Sequence, residues 1–143
     1  VYFDRVVFKR RMEKRQKIQP TTIGSDVYLI KCVAGLDDYL FKALAAKPAR
    51  GIVVEAFGCG NVPPAVKEGI ELVRKQGIPV VLTSRVHMGR VVPAYSYLGS
   101  AQSMKDADII LAGEITGQKA RIKLLLALGL TDETEKLRAY FDS

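Results

Sequence analysis

The stretch IVVEAFGCGN, residues 52–61, decides the fold. Its first six residues form a nearly continuous apolar run, which is typical of a strand covered on both faces of a parallel sheet. The two glycines that follow permit a tight turn. Pro63 and Pro64 come next, and proline suits the first turn of a helix because its missing N–H would have no partner there. The stretch therefore predicts a strand, a turn and a helix that ends near Gln76.

The same unit recurs on both sides of this stretch. Apolar residues at helical spacing identify the helices, and Thr131 is a candidate N-cap for the last one. The predicted strands are residues 27–33, 52–57, 78–83 and 109–112, and the predicted helices are 36–47, 63–76, 116–128 and 132–140, with one helical turn at 103–107. Strand and helix alternate four times. This pattern predicts an α/β fold with a small, doubly wound, parallel four-stranded sheet and helices on both faces.

The positive charge of the chain is concentrated at its start. Of the formal net charge of +7, residues 1–17 contribute +5, from seven Lys or Arg side chains against Asp4 and Glu13. The remaining body is nearly neutral and carries no nucleic-acid motif, so a solvated connector is favoured over an arm that binds nucleic acid. Residues 6–8 could form a short strand, and residues 20–25 have the composition of a loop. The first residue is Val rather than Met, which suggests a fragment, a processed chain or a start with missing residues.

Composition argues against several classes of protein and site. No apolar run reaches the ~18 residues of a membrane span, and the first residues lack the apolar core of a signal peptide, so a cytoplasmic location is expected. Cys32 and Cys59 form no CxxC pattern and His87 is the single histidine, so no metal site is predicted. Buried free thiols are favoured for the two cysteines. A disulfide stays open for an exported chain, because both lie near the ends of neighbouring predicted strands.

In an open parallel sheet, ligands bind at the carboxyl ends of the strands. Residues 34–35, residues 58–61 and the stretch from Ser84 onward lie there. Asn61 offers both a donor and an acceptor that could hold an amide or a carboxylate, although capping of the next helix is the more common role of such a residue. Ser84 and His87 could form a nucleophile–base pair. Residues so close in an irregular turn rarely meet, however, and a structural or surface histidine is favoured.

Charged residues near the fourth predicted strand are weaker candidates. Glu114 follows this strand and could bind a ligand or fix the start of the next helix. Asp106 and Asp108 could take part in acid–base chemistry, but solvated carboxylates are common at such positions. Lys119 and Arg121 could bind phosphate, but they are more typical of the outer face of a helix. The residues alone thus predict a polar site at the carboxyl edge without a convincing nucleophile.

Three segments together resemble the C-terminal domain of the L-asparaginases. They are GIVVEAFGCGNVP at 51–63, GIPVVLTSR at 77–85 with GRV at 89–91, and AGEITGQKAR at 112–121. Each motif alone is weak, but they occur in the family's order and spacing. The resemblance implies that residues 1–25 are the end of an upstream domain and a linker, and that residues 26–143 are the asparaginase-like C-terminal α/β domain.

The resemblance also implies where the chemistry lies. The family hydrolyses L-asparagine to L-aspartate and ammonia through a covalent acyl-enzyme and without a cofactor. Its catalytic threonines lie in a GTGGT-like turn and a Thr-Asp dipeptide of the N-terminal domain, whereas the Thr131-Asp132 dipeptide here opens a C-terminal helix. The resemblance therefore implies no catalytic residue in this chain, and inactivity without an N-terminal partner domain. Thr83, Ser84 and Thr116 become candidates only if the chain alone releases ammonia.

In the family, the C-terminal domain of one subunit completes the active site of another within a homodimer or homotetramer. Asn61 matches an asparagine that supports the bound amino acid in some members, so the resemblance implies a substrate-binding role for it. Some exported members add a glutamate from the segment after the third strand. Residues 91–97 read VVPAYSY here, without a carboxylate, so the preference between asparagine and glutamine stays open.

Two other functions are alternatives to an asparaginase half. One is the asparaginase-like subunit of a tRNA-dependent amidotransferase, which would give the basic run a use. It ranks lower because residues 113–121 resemble the bacterial asparaginases more closely. The other is a non-catalytic binding module that retains the fold. RNA binding that depends on salt and on residues 9–17 would favour these alternatives.

Overall fold

The computed structural model describes residues 17–47 and 49–142; the predicted strand at residues 6–8 lies outside them. The strands are β1 (Val27–Lys31), β2 (Gly51–Ala56), β3 (Val80–Ser84) and β4 (Ile110–Leu111), and the helices are α1 (Tyr39–Ala46), α2 (Pro64–Lys75), α3 (Ala101–Asp106), α4 (Gly117–Ala127) and α5 (Thr134–Phe141). Every predicted element within the described ranges is present, and its ends differ from the prediction by three residues or fewer.

The four strands form one parallel sheet in the order β1-β2-β3-β4. Val27 pairs with Gly51, Ile52 with Val80, and Val81 with Ile110. Because all strands run in the same direction, their carboxyl ends meet at one edge of the sheet. The predicted parallel four-stranded sheet is confirmed, and this edge holds the candidate site.

Helices cover both faces of the sheet, as predicted. The helices α1, α2 and α3 connect successive strands and lie on one face, where Phe41, Ile70 and Met104 are buried in one apolar cluster. The helices α4 and α5 cover the other face, where Leu124 and Leu137 are buried in a second cluster. Burial of one such side chain contributes about 1.5–3 kcal/mol. Within the described ranges, no helix has the length and apolar character needed to cross a membrane.

The turn before β4 is held by an acidic residue in an unusual conformation. Asp108 has φ 61°, which is uncommon for a residue other than glycine. Its carboxylate accepts hydrogen bonds from Arg74 of α2 and Arg138 of α5. The Asp108 side chain is still 47% exposed, which agrees with a solvated carboxylate, and its ion pairs, which the sequence did not predict, tie two helices to the turn.

The start of α5 also differs from the prediction. The helix begins at Thr134, and its N-cap is Glu133. The hydroxyl of Thr131 accepts a hydrogen bond from the backbone N–H of Glu133 at 3.1 Å. Thr131 therefore stabilises a turn before the helix, and its predicted role as the N-cap is wrong.

Candidate functional site

The turn after β2 forms the centre of the carboxyl edge. The backbone N–H of Phe57 donates to the carbonyl of Asn61 at 2.8 Å, and the N–H groups of Gly60 and Asn61 both donate to the carbonyl of Phe57 at 2.9 Å. These three bonds close a tight loop of five residues. The loop fixes the backbone from which the Asn61 side chain extends.

The Asn61 side chain has one weak partner and one buried atom without any. Its Nδ2 lies 3.8 Å from the sulfur of Cys59, while its Oδ1 is buried and accepts no hydrogen bond from the described residues. The N-cap of α2 is Pro63, so the capping role considered for Asn61 is wrong. A buried acceptor without a donor costs about 1–3 kcal/mol, so a donor that reached this oxygen would relieve that cost.

The segment after β3 lies against this turn. The N–H of Val92 donates to the carbonyl of Cys59 at 3.0 Å, and the N–H of Val62 donates to the carbonyl of Gly99 at 2.8 Å. Gly60 has φ 114°, and a Cβ there would lie 2.7 Å from Val91 Cγ1. Glycine is therefore required where the segment crosses the turn. Residues 93–98 are exposed and lie between Val92 and Gly99, the two residues whose backbone bonds the turn.

Arg85 joins the carboxyl ends of three strands. Its N–H donates to the carbonyl of Ala56 at 2.8 Å, and its Nη1 donates to the carbonyl of Cys32 at 3.1 Å. The guanidinium carbon lies 4.2 Å from the centroid of the Phe57 ring, in cation–π contact. The sequence marks Arg85 only as a cation after a strand and does not predict its contact with the Asn61 turn.

Ser84 and His87 do not form the considered pair within the described structure. The Ser84 hydroxyl donates to the carbonyl of Gly58 at 2.6 Å and accepts from the N–H of Val86 at 3.1 Å. Ser84 is buried, whereas His87 is exposed. The serine therefore stabilises the turn, and the histidine belongs to the surface, as favoured from the sequence.

A cleft of about 530 Å³ lies at the carboxyl end of β4, and Glu114, Thr116 and Lys119 line it. Thr116 is the N-cap residue of α4, but its side chain makes no capping hydrogen bond. Arg121 does not face this cleft: its Nε donates to the carbonyl of Val27 at 2.8 Å. Asp106 accepts a hydrogen bond from Gln102 at 2.7 Å on the exposed side of α3. Neither residue belongs to the carboxyl edge.

The two cysteines are free thiols, as favoured from the sequence. Cys32 is buried, and this burial raises the pKa of its thiol to about 11, although the nearby charge of Arg85 acts in the opposite direction. Cys59 is only half-buried, which corrects the expectation that both are buried. Among the described residues, no group of three or more His, Cys, Asp or Glu side chains could hold a metal ion.

Glu55 is a buried carboxylate that sequence reasoning missed. It is the next-to-last residue of the apolar strand β2 and has 3% exposure. Its Oε2 lies 3.0 Å from Lys31 Nζ without the alignment of a hydrogen bond. A Cβ at Gly117 would collide with the Glu55 carboxylate, so this side chain contacts the first turn of α4. The signal in the sequence was a single charged residue inside a strand expected to be covered on both faces.

With this geometry in place, comparison with known proteins identifies the family. The model of the glutaminase/asparaginase C-terminal domain matches residues 26–141. The chain belongs to this family. The recognition based on the three sequence motifs is thereby confirmed.

Individual relatives agree with the family. The chain is 34% identical over 131 residues to a probable L-asparaginase of Deinococcus radiodurans and 31% identical over 128 residues to an L-asparaginase of Bacillus licheniformis. These matches cover 92% and 90% of the chain but 39% and 38% of the relatives. It is also 37% identical over 116 residues to a glutamyl-tRNA(Gln) amidotransferase subunit of Aeropyrum pernix, with 80% of the chain and 26% of that relative covered. The chain thus spans well under half the length of these relatives.

Proposed function

We propose that this chain is the C-terminal, oligomer-forming domain of an L-asparaginase, and that it completes the active site of a neighbouring subunit. In this proposal residues 1–25 are the end of an N-terminal domain and a linker, and residues 26–143 are the completing domain. The catalytic threonines belong to the N-terminal domain, and the whole enzyme, a homodimer or homotetramer, hydrolyses L-asparagine to L-aspartate and ammonia.

The observation that carries this proposal is the Asn61 amide. Its Oδ1 is buried without a donor among the described residues, on a turn closed by three backbone hydrogen bonds, at the edge where parallel sheets bind ligands. An amide held in this way can accept from an ammonium or amide N–H and donate to a carboxylate, which are the polar groups of L-asparagine. We therefore assign the substrate-binding role to Asn61.

The described residues also support a completing role rather than a complete active site. Ser84 is the last residue of β3, and its hydroxyl is engaged by two backbone groups, the carbonyl of Gly58 and the N–H of Val86. A nucleophilic hydroxyl needs an adjacent base that removes its proton, and Ser84 has none among its hydrogen-bond partners in the described structure. The reaction proposed here needs no cofactor. A cytoplasmic location is part of the proposal, because both cysteines are free thiols.

The test is ammonia release by the enzyme reconstituted from this chain and a separately made N-terminal half. Asn61→Ala should lower kcat/KM for L-asparagine about 10-fold, because one or two hydrogen bonds to the substrate are lost. Gln76→Ala is the matched control, since it removes an exposed amide just after α2, at the amino edge of the sheet. Equal activity of the two variants would remove Asn61 from the substrate site.

A second candidate function is the asparaginase-like subunit of a tRNA-dependent amidotransferase. The relative from Aeropyrum pernix and the basic run at residues 9–17 favour it. Salt-dependent tRNA binding that disappears when residues 9–17 are neutralised would support this candidate. Absence of such binding, with ammonia release from free L-asparagine, would support the asparaginase. A non-catalytic binding module would show neither property.

A further inference from the structure

Arg85 holds three strand ends together, and one of its contacts leads directly to Asn61. The guanidinium lies over the Phe57 ring, 4.2 Å from its centroid. The same guanidinium donates to the carbonyl of Cys32, 53 positions away in the chain, at 3.1 Å. The side chain is therefore fixed between the ends of β1 and β2.

Phe57 is also the base of the turn that carries Asn61. Its N–H and its carbonyl make all three backbone hydrogen bonds that close the turn, and two of them join it to Asn61. Phe57 and Asn61 form an isolated antiparallel bridge. Any shift of Phe57 therefore moves the backbone from which the Asn61 amide extends.

We propose that Arg85 is a positioning residue for Asn61 and acts through the ring and backbone of Phe57. The expected effect on the KM for L-asparagine rests on the proposed function, whereas the expected displacement of the Asn61 turn can be measured without it. Arg85 does not need to contact the substrate. Its role is to keep the Asn61 oxygen at one place relative to the neighbouring subunit.

The chemistry of the side chain explains why arginine occupies this position. A planar guanidinium can stack on an aromatic ring with its face while it donates hydrogen bonds in its plane. A lysine ammonium keeps the charge but cannot combine the two contacts in this geometry. Arg85→Lys should therefore restore only part of what Arg85→Ala removes.

A double-mutant cycle in the reconstituted enzyme tests the proposal. Arg85→Ala should raise the KM for L-asparagine about 5-fold with kcat nearly unchanged, as expected when binding common to ground and transition states is lost. Arg85→Lys should lie between this variant and the wild type. In the Asn61→Ala background, Arg85→Ala should have no further effect, because residues that act as one unit are not additive. Additive losses in the double variant would overturn the proposal.

Alkylation of Cys59 by iodoacetamide gives a readout that does not depend on activity. Asn61 Nδ2 contacts the Cys59 sulfur at 3.8 Å, so displacement of the turn should change access to this half-buried thiol. Peptide mass spectrometry should show Cys59 labelled several-fold faster in Arg85→Ala than in the wild type. Lys75→Ala, which removes an exposed charge at the end of α2, is the control and should match the wild type.

The two readouts separate the two claims. If no variant of the reconstituted enzyme releases ammonia, the proposed function fails, and the Cys59 labelling rates alone decide the positioning role. An unchanged labelling rate in Arg85→Ala would overturn that role. Arg85→Lys provides the same comparison, with a smaller expected change, if the alanine variant does not fold.

Discussion

Gly60 lies beneath the segment that crosses the Asn61 turn, and its replacement by alanine should destabilise the protein by about 3 kcal/mol. The residue has φ 114°, and backbone strain of this kind costs about 1–3 kcal/mol for a residue with a Cβ. The new Cβ would lie 2.7 Å from Val91 Cγ1 and 2.9 Å from the Cβ of Ala101. Crowding in a well-packed interior adds about 1–3 kcal/mol.

Urea unfolding of this chain measures the cost, and Gly35→Ala is the matched control. Gly35 has φ 80°, but a Cβ there would meet nothing within 4 Å, so only strain of about 1–2 kcal/mol is expected. The difference between the variants isolates the contact of the segment with the turn. Equal losses in the two variants would refute the idea that residues 91–101 press on the turn at Gly60.

Three further outcomes are expected. Asp108→Ala should lower the free energy of unfolding by about 2 kcal/mol, because two partly buried guanidiniums lose their anion. Asp108→Asn should lower it by a smaller amount. A lower unfolding temperature for Asp108→Asn than for Asp108→Ala would contradict this. Gly117→Ala should lower the free energy of unfolding by about 2 kcal/mol, because the new methyl group collides with the Glu55 carboxylate. Urea unfolding should show a smaller effect of Gly117→Ala in the Glu55→Ala background than in the wild type, and equal effects would contradict the contact. Burial raises the pKa of Cys32 from 9.0 to about 11, so the unfolded thiol ionises first. The stability that this provides is complete below pH 9 and is lost as the pH rises from 9 to 11, by up to about 1.4 kcal/mol per pH unit. The free energy of unfolding should therefore fall less steeply with pH between 9 and 11 in Cys32→Ala than in the wild type, and equal slopes would contradict this.

The sequence was sufficient to predict the sheet and its helices. Near-continuous apolar runs identified the strands because each strand of a covered parallel sheet is buried on both faces. The breaks at Gly77 and at Pro63 and Pro64 located helix boundaries to within a few residues. The ends of β4 were predicted to within one residue, but the turn before it was not, since neither the left-handed conformation of Asp108 nor its ion pairs with arginines of α2 and α5 follow from a local pattern.

The site was predicted less completely than the fold. The position of Asn61 at the carboxyl edge followed from strand direction, but its side-chain environment did not. Capping is the usual use of an asparagine before a helix, whereas here Pro63 occupies the N-cap position. The contact between Arg85 and Cys32 joins residues 53 positions apart, and no local pattern reports such a contact. Glu55 could have been suspected, since it is the single charge within its strand.

Ammonia release from L-asparagine, measured for this chain alone and then with a separately made N-terminal half, tests the central claim most directly. We expect the chain alone to release no ammonia and the mixture to release it, because the proposed nucleophiles belong to the N-terminal half. Ammonia release by the chain alone would contradict the account. Thr83, Ser84 and Thr116 would then be the hydroxyls to replace.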